Sequence, residues 1–276
     1  MKKIKKLIST DNIGFLGKPS QFLFLWEEFF KEKYFDGVEM IAFYPKKRLM
    51  NFIEVLKQKN ISVISFHSRT GGESRLNFSG KVIMTVVNRF ILGHKELVEN
   101  FSSFEFLFHA PYLEDKKVFD YLVFNRKKIK KIWVENHLDG MEGVKEVRNM
   151  VEKLNKKGVN SSGLVDIYHI CSKLKPKEIV FNWKEIVDDI SKLIDESISG
   201  IHLPIGSRLD DSIPIEFLTD SDLAYFSEKI IPKVSQLTIE NQQKFPGLLY
   251  SFPASLKKQK ERNKKNLQRL RQAGIL

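Results

Sequence analysis

The sequence predicts an α/β protein that folds as an eight-stranded parallel (β/α)8 barrel, a TIM barrel, in a single domain over residues 1–276. The chain has 276 residues, close to the roughly 250 that such a barrel needs. Short apolar runs alternate with longer amphipathic stretches, which favours parallel strands joined by helices. Ionisable residues follow most of the apolar runs, where the mouth of a barrel would form. An open doubly wound sheet is the main alternative.

Eight runs have the length and composition of strands. They are mostly unbroken apolar runs rather than alternating ones, as expected for parallel strands that are covered on both faces. The first strand is expected within Ile4–Leu16, and the others are Gly37–Phe43, Ile61–Phe66, Phe104–Phe108, Ile129–Val134, Gly163–Ile167, Ile198–Leu203 and Leu237–Ile239.

Apolar stripes at helical spacing lie between these runs. The clearest are Phe22, Leu25, Trp26, Phe29 and Phe30, then Leu49, Phe52, Ile53 and Leu56, and finally Val144, Val147, Met150, Val151 and Leu154. The third stripe ends in Lys156-Lys157-Gly158, a typical helix stop, and a basic helix is predicted at about 254–276. Neither G-x-G-x-x-G nor G-x-x-x-x-G-K-[ST] occurs, so the usual nucleotide-binding motifs are absent from the sequence.

Composition indicates an ordinary soluble globular protein, with 42% hydrophobic and 29% charged residues. No apolar run approaches the ~20 residues that span a bilayer, and no apolar segment follows the basic start Met1–Ile8, so neither a membrane partner nor a secretory signal is expected. The single cysteine, Cys171, cannot form an internal disulfide, which fits a reducing cytoplasm. The oligomeric state is not predicted.

The net charge of +12 raises the question of a nucleic-acid partner, because phosphate backbones attract basic residues. Only ten of the 46 basic residues are arginine, and the lysines are spread over most of the chain. A biased composition therefore explains the charge as well as a binding surface does. We interpret the two denser clusters, Arg126–Lys131 and Lys257–Arg271, as solvated helical faces, with a polyanion site as the alternative.

The strongest signal is the position of six ionisable residues. Each lies at or just past the carboxyl end of an apolar run: His67, His109, Glu135, Asp166, His202 and Glu240. In a (β/α)8 barrel these strand ends converge on one mouth, where active sites are built. Taken singly, each residue is explained as a hydrogen-bonded boundary residue or a helix cap. Six in succession indicate a shared site.

Four of these residues, Glu135, Asp166, His202 and Glu240, provide three carboxylates and one imidazole. Buried carboxylates that face one cavity repel each other unless a cation or protons offset their charge. The oxygen-rich set suits a divalent ion such as Mg²⁺, Mn²⁺ or Co²⁺. Adding His67 and His109 shifts the preference toward Zn²⁺ and toward two ions bridged by a carboxylate.

The roles of His169 and of the Thr70–Met84 connection depend on the path of the chain. His169 reaches the cavity beside Asp166 only if the strand ends near Ile167 and the chain turns, because residues three apart in a strand point to opposite faces. The long connection from Thr70 to Met84 follows the third strand, so it is either a lid or a short element that caps the barrel.

Six short motifs, taken in order, resemble the xylose isomerase-like barrel superfamily, which contains sugar isomerases and epimerases beside endonuclease IV-type apurinic-site nucleases. They are Asp36-Gly37-Val38-Glu39-Met40, Phe108-His109-Ala110-Pro111-Tyr112, Val134-Glu135-Asn136-His137, Val165-Asp166-Ile167-Tyr168-His169, Gly200-Ile201-His202-Leu203 and Thr238-Ile239-Glu240-Asn241. Each motif is weak alone, but together they span most of the chain.

The isomerase branch implies one divalent ion held by Glu135, Asp166, His202 and Glu240. The resemblance to that branch also implies that Glu135 and Glu240 act as the acid/base pair. The resemblance further implies that His169 and Arg208 contact sugar hydroxyls or a phosphate group. Our first hypothesis is therefore a metal-dependent isomerase or epimerase that acts on a sugar or sugar phosphate.

The nuclease branch implies a second zinc ion at His67, His109 and Glu135. A third zinc would need His169, Asp210 and a histidine two residues later, where this sequence has Ser212. A zinc phosphodiesterase that acts on apurinic sites in DNA is therefore the alternative, with the third ion in doubt. The second alternative is a barrel that binds a ligand without catalysis.

Overall fold

In a computed structural model of the chain, eight parallel strands close into a barrel in chain order. The structure describes residues 3–10, 18–42, 46–68, 93–137, 140–171, 174–205, 215–240 and 253–276. The strands are β1 (Lys5–Ser9), β2 (Gly37–Ile41), β3 (Val63–Ser68), β4 (Glu105–His109), β5 (Lys131–Glu135), β6 (Ser161–Asp166), β7 (Ile198–Pro204) and β8 (Gln236–Glu240). The predicted barrel is confirmed and the open sheet is excluded, because β8 pairs with β1.

The helices cover the outside of this barrel. They are α1 (Pro19–Lys31), α2 (Lys46–Gln58), α3 (His94–Phe101), α4 (Ala110–Leu113), α5 (Lys116–Phe124), α6 (Met141–Lys156), α7 (Ile167–Cys171), α8 (Pro176–Phe181), α9 (Trp183–Leu193), α10 (Asp220–Ile230) and α11 (Pro253–Gln272), with 3-10 turns at Ile215–Phe217 and Ile231–Lys233. The three predicted apolar stripes lie in α1, α2 and α6, and the basic helix predicted at about 254–276 is α11. No helix in the described ranges is both long enough and apolar enough to cross a membrane.

The basic cluster Arg126–Lys131 corrects one prediction, because it lies in the connection from α5 to β5 and not on a helix. Lys131 is the first residue of β5, and its Nζ lies 3.5 Å from the centroid of the Trp133 ring. Lys130 Nζ lies 3.6 Å from Glu105 Oε1. Lys130 and Lys131 therefore lie at the amino end of the barrel, where the Glu105 carboxylate and the face of the Trp133 ring attract them. The second cluster, Lys257–Arg271, lies on α11 as predicted.

The barrel interior is filled below its mouth. Leu107, Trp133 and Leu164 form an apolar cluster of their own, separate from the core between the sheet and the helices. Trp133 Nε1 donates a hydrogen bond to Glu105 Oε2 over 2.8 Å, and Lys5 Nζ lies 2.7 Å from Glu105 Oε1. This layer fills the barrel toward its amino end, as in other (β/α)8 barrels, whose active sites form at the opposite end.

Replacing Gly37 with alanine is expected to destabilise the fold. A Cβ atom at this position would lie 2.5 Å from Ile64 Cγ1 and 2.7 Å from the carbonyl oxygen of Ser62. The backbone oxygen is fixed by sheet pairing, so the free energy of unfolding should fall by about 1–3 kcal/mol, as for other overpacked sites. Urea unfolding measures this change. The control is Gly93→Ala, whose Cβ would meet, among the described residues, only the exposed side chain of Glu96. An equal loss in both variants would contradict the steric explanation.

Candidate metal centre

The six residues predicted from their positions at strand ends all lie at the carboxyl end of the barrel. His109, Glu135, Asp166 and Glu240 are the last residues of β4, β5, β6 and β8, while His67 and His202 lie near the ends of β3 and β7. All six are at most 9% exposed. The parallel register of the barrel therefore brings together residues that are far apart in the sequence.

Glu135 lies among three imidazoles. Its Oε2 atom is 3.0 Å from His67 Nε2 and 3.1 Å from His109 Nε2. Its Oε1 atom is 2.9 Å from His202 Nδ1. Glu240 completes this side of the site, because its Oε1 lies 3.4 Å from the same His202 nitrogen. The Glu135 carboxylate thus contacts His202, from the predicted oxygen-rich set, and also the predicted histidine pair, His67 and His109.

His169 fulfils the condition that the sequence left open. Strand β6 ends at Asp166 and α7 begins at Ile167, so the chain turns and His169 Nε2 lies 3.2 Å from Asp166 Oδ2. Asn136 fixes the Asp166 backbone, since its Oδ1 accepts from the Asp166 N–H over 2.7 Å and its Nδ2 donates to the Asp166 carbonyl over 3.2 Å. The carboxylate of Asp166 is therefore held at the mouth.

Glu39, in the middle of β2, is a member of the site that was not selected from the sequence. Its Oε1 lies 3.1 Å from His202 Nε2 and 3.8 Å from His67 Nδ1, and its Oε2 accepts from Ser65 Oγ over 3.3 Å and from Thr238 Oγ1 over 3.5 Å. The available signal was an acidic residue inside an apolar strand. Selection by position at the end of a run does not find such a residue.

A second residue outside the selected set lies at the rim. His137 follows Asn136 just past β5, and its ring stacks on that of His169 with centroids 5.7 Å apart and planes 22° apart. The His137 ring also meets the His109 ring edge-on, with centroids 5.3 Å apart. The motif Val134-Glu135-Asn136-His137 contains this histidine, and its place two residues after Glu135 was the available signal.

Three predicted features fall outside the described residues. Arg208 and Asp210 lie in 206–214, and the Thr70–Met84 connection lies in 69–92. The roles predicted for them stay predictions.

Burial and neighbouring charges shift the pKa values of several residues of the site. Burial raises the pKa of Glu135, but His202 and the other two imidazoles outweigh it and hold this pKa well below its usual value. Burial lowers the pKa of His202, but the surrounding carboxylates raise it well above the usual value. Burial and then Glu240 raise the pKa of Asp166 well above its usual value, while burial lowers the pKa of His169 to about 3. The imidazoles thus stabilise the charged form of Glu135, whereas burial and acidic neighbours destabilise the charged form of Asp166.

The donor atoms of the site fit a divalent cation. Both oxygens of Glu135 and both nitrogens of His67 and of His202 have no hydrogen-bond partner among the described residues, although they lie close to one another. Buried polar atoms are normally paired. The ligands of a metal ion lie close to one another but do not hydrogen-bond to one another, and the atoms of this site have that arrangement.

Three groups in the described part of the chain have ligand atoms within 4.8 Å of one another: Glu39, His67, His202 and Glu240; His67, His109 and Glu135; and Glu135, Asp166 and His169. The four ligands predicted for one ion are thus divided. Glu135 and Asp166 belong to one group, and His202 and Glu240 to another. The distances of 2.9 Å and 3.4 Å from His202 Nδ1 to Glu135 and Glu240 link the two groups.

No family model matches the sequence, and no curated protein matches it significantly. Solved structures do share the fold. A D-psicose 3-epimerase determined in the presence of D-fructose is 12% identical with a TM-score of 0.52, covering 97% of this chain and 99% of that enzyme. The 3-keto-D-glucoside 4-epimerase from E. coli is 12% identical with a TM-score of 0.50, covering 94% of this chain and 100% of that enzyme.

A xylose isomerase domain containing protein from Salmonella typhimurium is 14% identical with a TM-score of 0.51, covering 97% of this chain and 98% of that protein. At these identities the similarity is one of fold. The predicted resemblance to xylose isomerase-like barrels is confirmed at that level.

Proposed function

We propose that this protein is a divalent-metal-dependent isomerase or epimerase that acts on a sugar or sugar phosphate. The observation that carries the proposal is the placement of two buried carboxylates, Glu135 and Glu240, 2.9 Å and 3.4 Å from one nitrogen of His202. Two carboxylates beside a metal ligand provide a base and an acid for moving a proton next to a carbonyl group. Sugar epimerases share this fold, and that favours a carbohydrate substrate.

Glu135, Asp166, His202 and Glu240 would hold the ion, which is Mg²⁺, Mn²⁺, Co²⁺ or Zn²⁺. When bound, the ion would polarise the substrate carbonyl and so lower the cost of removing the neighbouring proton. One of the two glutamates would accept that proton on a carboxylate oxygen, and the other would return a proton to the opposite face. His169 and Arg208 would orient the substrate through its hydroxyl or phosphate oxygens.

Solvent exchange tests this proposal across many sugars at once. The protein is incubated in D₂O with Mg²⁺, Mn²⁺, Co²⁺ or Zn²⁺ and a panel of aldoses and ketoses, with and without phosphate groups. A proton that passes through a carboxylate exchanges with solvent, so deuterium should appear at the carbon next to the carbonyl of one sugar. If no sugar in the panel exchanges with any of the four ions, the proposal loses its chemical basis.

Glu240→Gln should abolish this exchange and weaken metal binding, because the amide can neither accept the proton nor offset the ion charge. The comparison variant is Lys260→Ala on α11, where Lys260 Nζ lies 2.7 Å from Glu28 Oε2. Exchange and metal affinity should be unchanged in that variant. A loss of activity from Lys260→Ala alone would instead favour a polyanionic substrate bound along the basic helix.

A second candidate is a zinc phosphodiesterase of the endonuclease IV type. The contact of Glu135 Oε2 with both His67 Nε2 and His109 Nε2, at 3.0 Å and 3.1 Å, favours it, because a carboxylate between two imidazoles suits a second zinc ion. A duplex with one abasic site tests this candidate. Cleavage that needs Zn²⁺ and weakens steeply with salt would support the nuclease. A duplex that stays intact would exclude this candidate and leave the isomerase or epimerase as the proposed function.

A further inference from the structure

Four side chains deep in the barrel, Glu39, His67, His202 and Glu240, each place one ligand atom within 4.8 Å of those of the other three. Glu39 Oε1 lies 3.1 Å from His202 Nε2 and 3.8 Å from His67 Nδ1. Glu240 Oε1 lies 3.8 Å from His67 Nδ1, and its 3.4 Å contact with His202 is with the other ring nitrogen, Nδ1. Ligands at about 2.0–2.1 Å from a tetrahedral ion are about 3.3 Å apart. We infer that Glu39, His67, His202 and Glu240 hold a divalent cation, at a place that we call the inner position.

Glu39 itself indicates a cation there. The side chain is fully buried, and an unpaired buried carboxylate is costly. Its Oε2 is satisfied by the hydroxyls of Ser65 and Thr238. Its Oε1 has no hydrogen-bond partner within the described ranges, and neither has His67 Nδ1 or His202 Nε2 beside it. A proton shared between these groups would give hydrogen-bond geometry, whereas an ion explains atoms that are close but not hydrogen-bonded.

The inner position lies one residue layer below the mouth. Glu39 is in register with Ser65, two residues before His67 on β3, and it is contacted by Thr238, two residues before Glu240 on β8. Residues two apart in a strand face the same side, so Glu39 reaches into the barrel beneath the mouth residues. His67 and Glu240 reach the inner position from above.

The ligand chemistry differs from that of the mouth. Two imidazoles and two carboxylates suit Zn²⁺ or Co²⁺ in four-coordinate geometry, whereas the predicted mouth set is richer in oxygen. The inference shares His202 and Glu240 with the proposed function and rests on it to that extent. It does not depend on Glu135 or Asp166, and that separates the two claims experimentally.

Titration of the metal-free protein with Co²⁺, followed by visible absorption, tests the inner position. Four-coordinate Co²⁺ absorbs strongly and six-coordinate Co²⁺ weakly, so the wild type should show a strong band. Glu39→Gln should weaken the binding of this ion at least about tenfold, since loss of a supporting group alone costs that much, and should remove the band. The matched variant Asp166→Asn changes an acid to an amide at the mouth only, so the band should persist.

The possible outcomes separate the explanations. An unchanged dissociation constant and band in Glu39→Gln overturn the inference. Weaker binding with an unchanged band also overturns it, because Glu39 would then only orient His202. A third result is a Co²⁺ band that depends on Glu39 in a protein that exchanges no sugar proton in D₂O. That result supports the metal ion at the inner position and contradicts the proposed function. Circular dichroism checks folding, and if Glu39→Gln does not fold, Glu39→Asp replaces it with the same expected loss of the band.

Discussion

Glu135→Gln is expected to lower kcat/KM for proton exchange by about a thousandfold and to weaken metal binding, within the range typical for loss of a general base. Glu135 is fully buried, and its two oxygens contact His67, His109 and His202 at 2.9–3.1 Å. An amide of the same size keeps the packing but removes the negative charge and one oxygen. The substitution should therefore weaken metal binding by both ligand groups that include Glu135.

The measurement is the exchange rate in D₂O at saturating metal, together with the metal content of the purified variant. Glu142→Gln is the matched control, because Glu142 lies in the first turn of α6 and its carboxylate is exposed and paired only with Lys145 in the described part of the chain. Its kinetic constants should equal those of the wild type. Activity of Glu135→Gln within tenfold of the wild type would exclude Glu135 as the base.

Trp133→Ala is expected to lower the free energy of unfolding by about 3–5 kcal/mol, the usual cost of deleting a buried aromatic side chain. The ring is 1% exposed and contacts Leu107 and Leu164 inside the barrel. Its Nε1 is a donor to Glu105 Oε2 at 2.8 Å, so the truncation also takes a hydrogen bond from a buried carboxylate. Trp133 and Glu135 face the same side of β5, so the variant also loses the packing beneath Glu135.

Urea or thermal unfolding of the metal-free protein measures this loss independently of metal binding. Phe124→Ala removes an aromatic ring that is 84% exposed and should change stability by no more than about 0.5 kcal/mol. If Trp133→Ala cost as little as Phe124→Ala, the barrel interior would not be a close-packed layer.

The fold could be predicted from the sequence because each strand of the barrel is covered on both faces. An unbroken apolar run such as Ile132–Val134 then marks a strand, and the first polar residue after it marks the end. That logic found Glu240 and Glu135. It could not find Glu39, because a buried acid inside a run contradicts the apolar pattern until the facing strands are known.

The grouping of the ligands was also beyond the sequence. Spacing placed Asp166 and His202 at one mouth, but which side chains meet depends on the stagger of the strands and on side-chain rotamers. Asp166 turns toward His169, while His202 lies between Glu39 and Glu135. The charge run Arg126–Lys131 predicts a solvated helical face, and the sequence does not show that Glu105 lies beside Lys130.

The most direct test of the account is anomalous scattering from crystals grown with Zn²⁺, Mn²⁺ or Co²⁺, recorded on both sides of the absorption edge of each metal. We predict a peak inside the carboxyl end of the barrel, about 2.0–2.2 Å from carboxylate oxygens and imidazole nitrogens of the buried cluster. A second peak touching Glu39 and His67 would mark the inner position. Crystals that bind these metals only on the outer surface, with the cluster atoms hydrogen-bonded to one another, would contradict the claim that the cluster holds a cation.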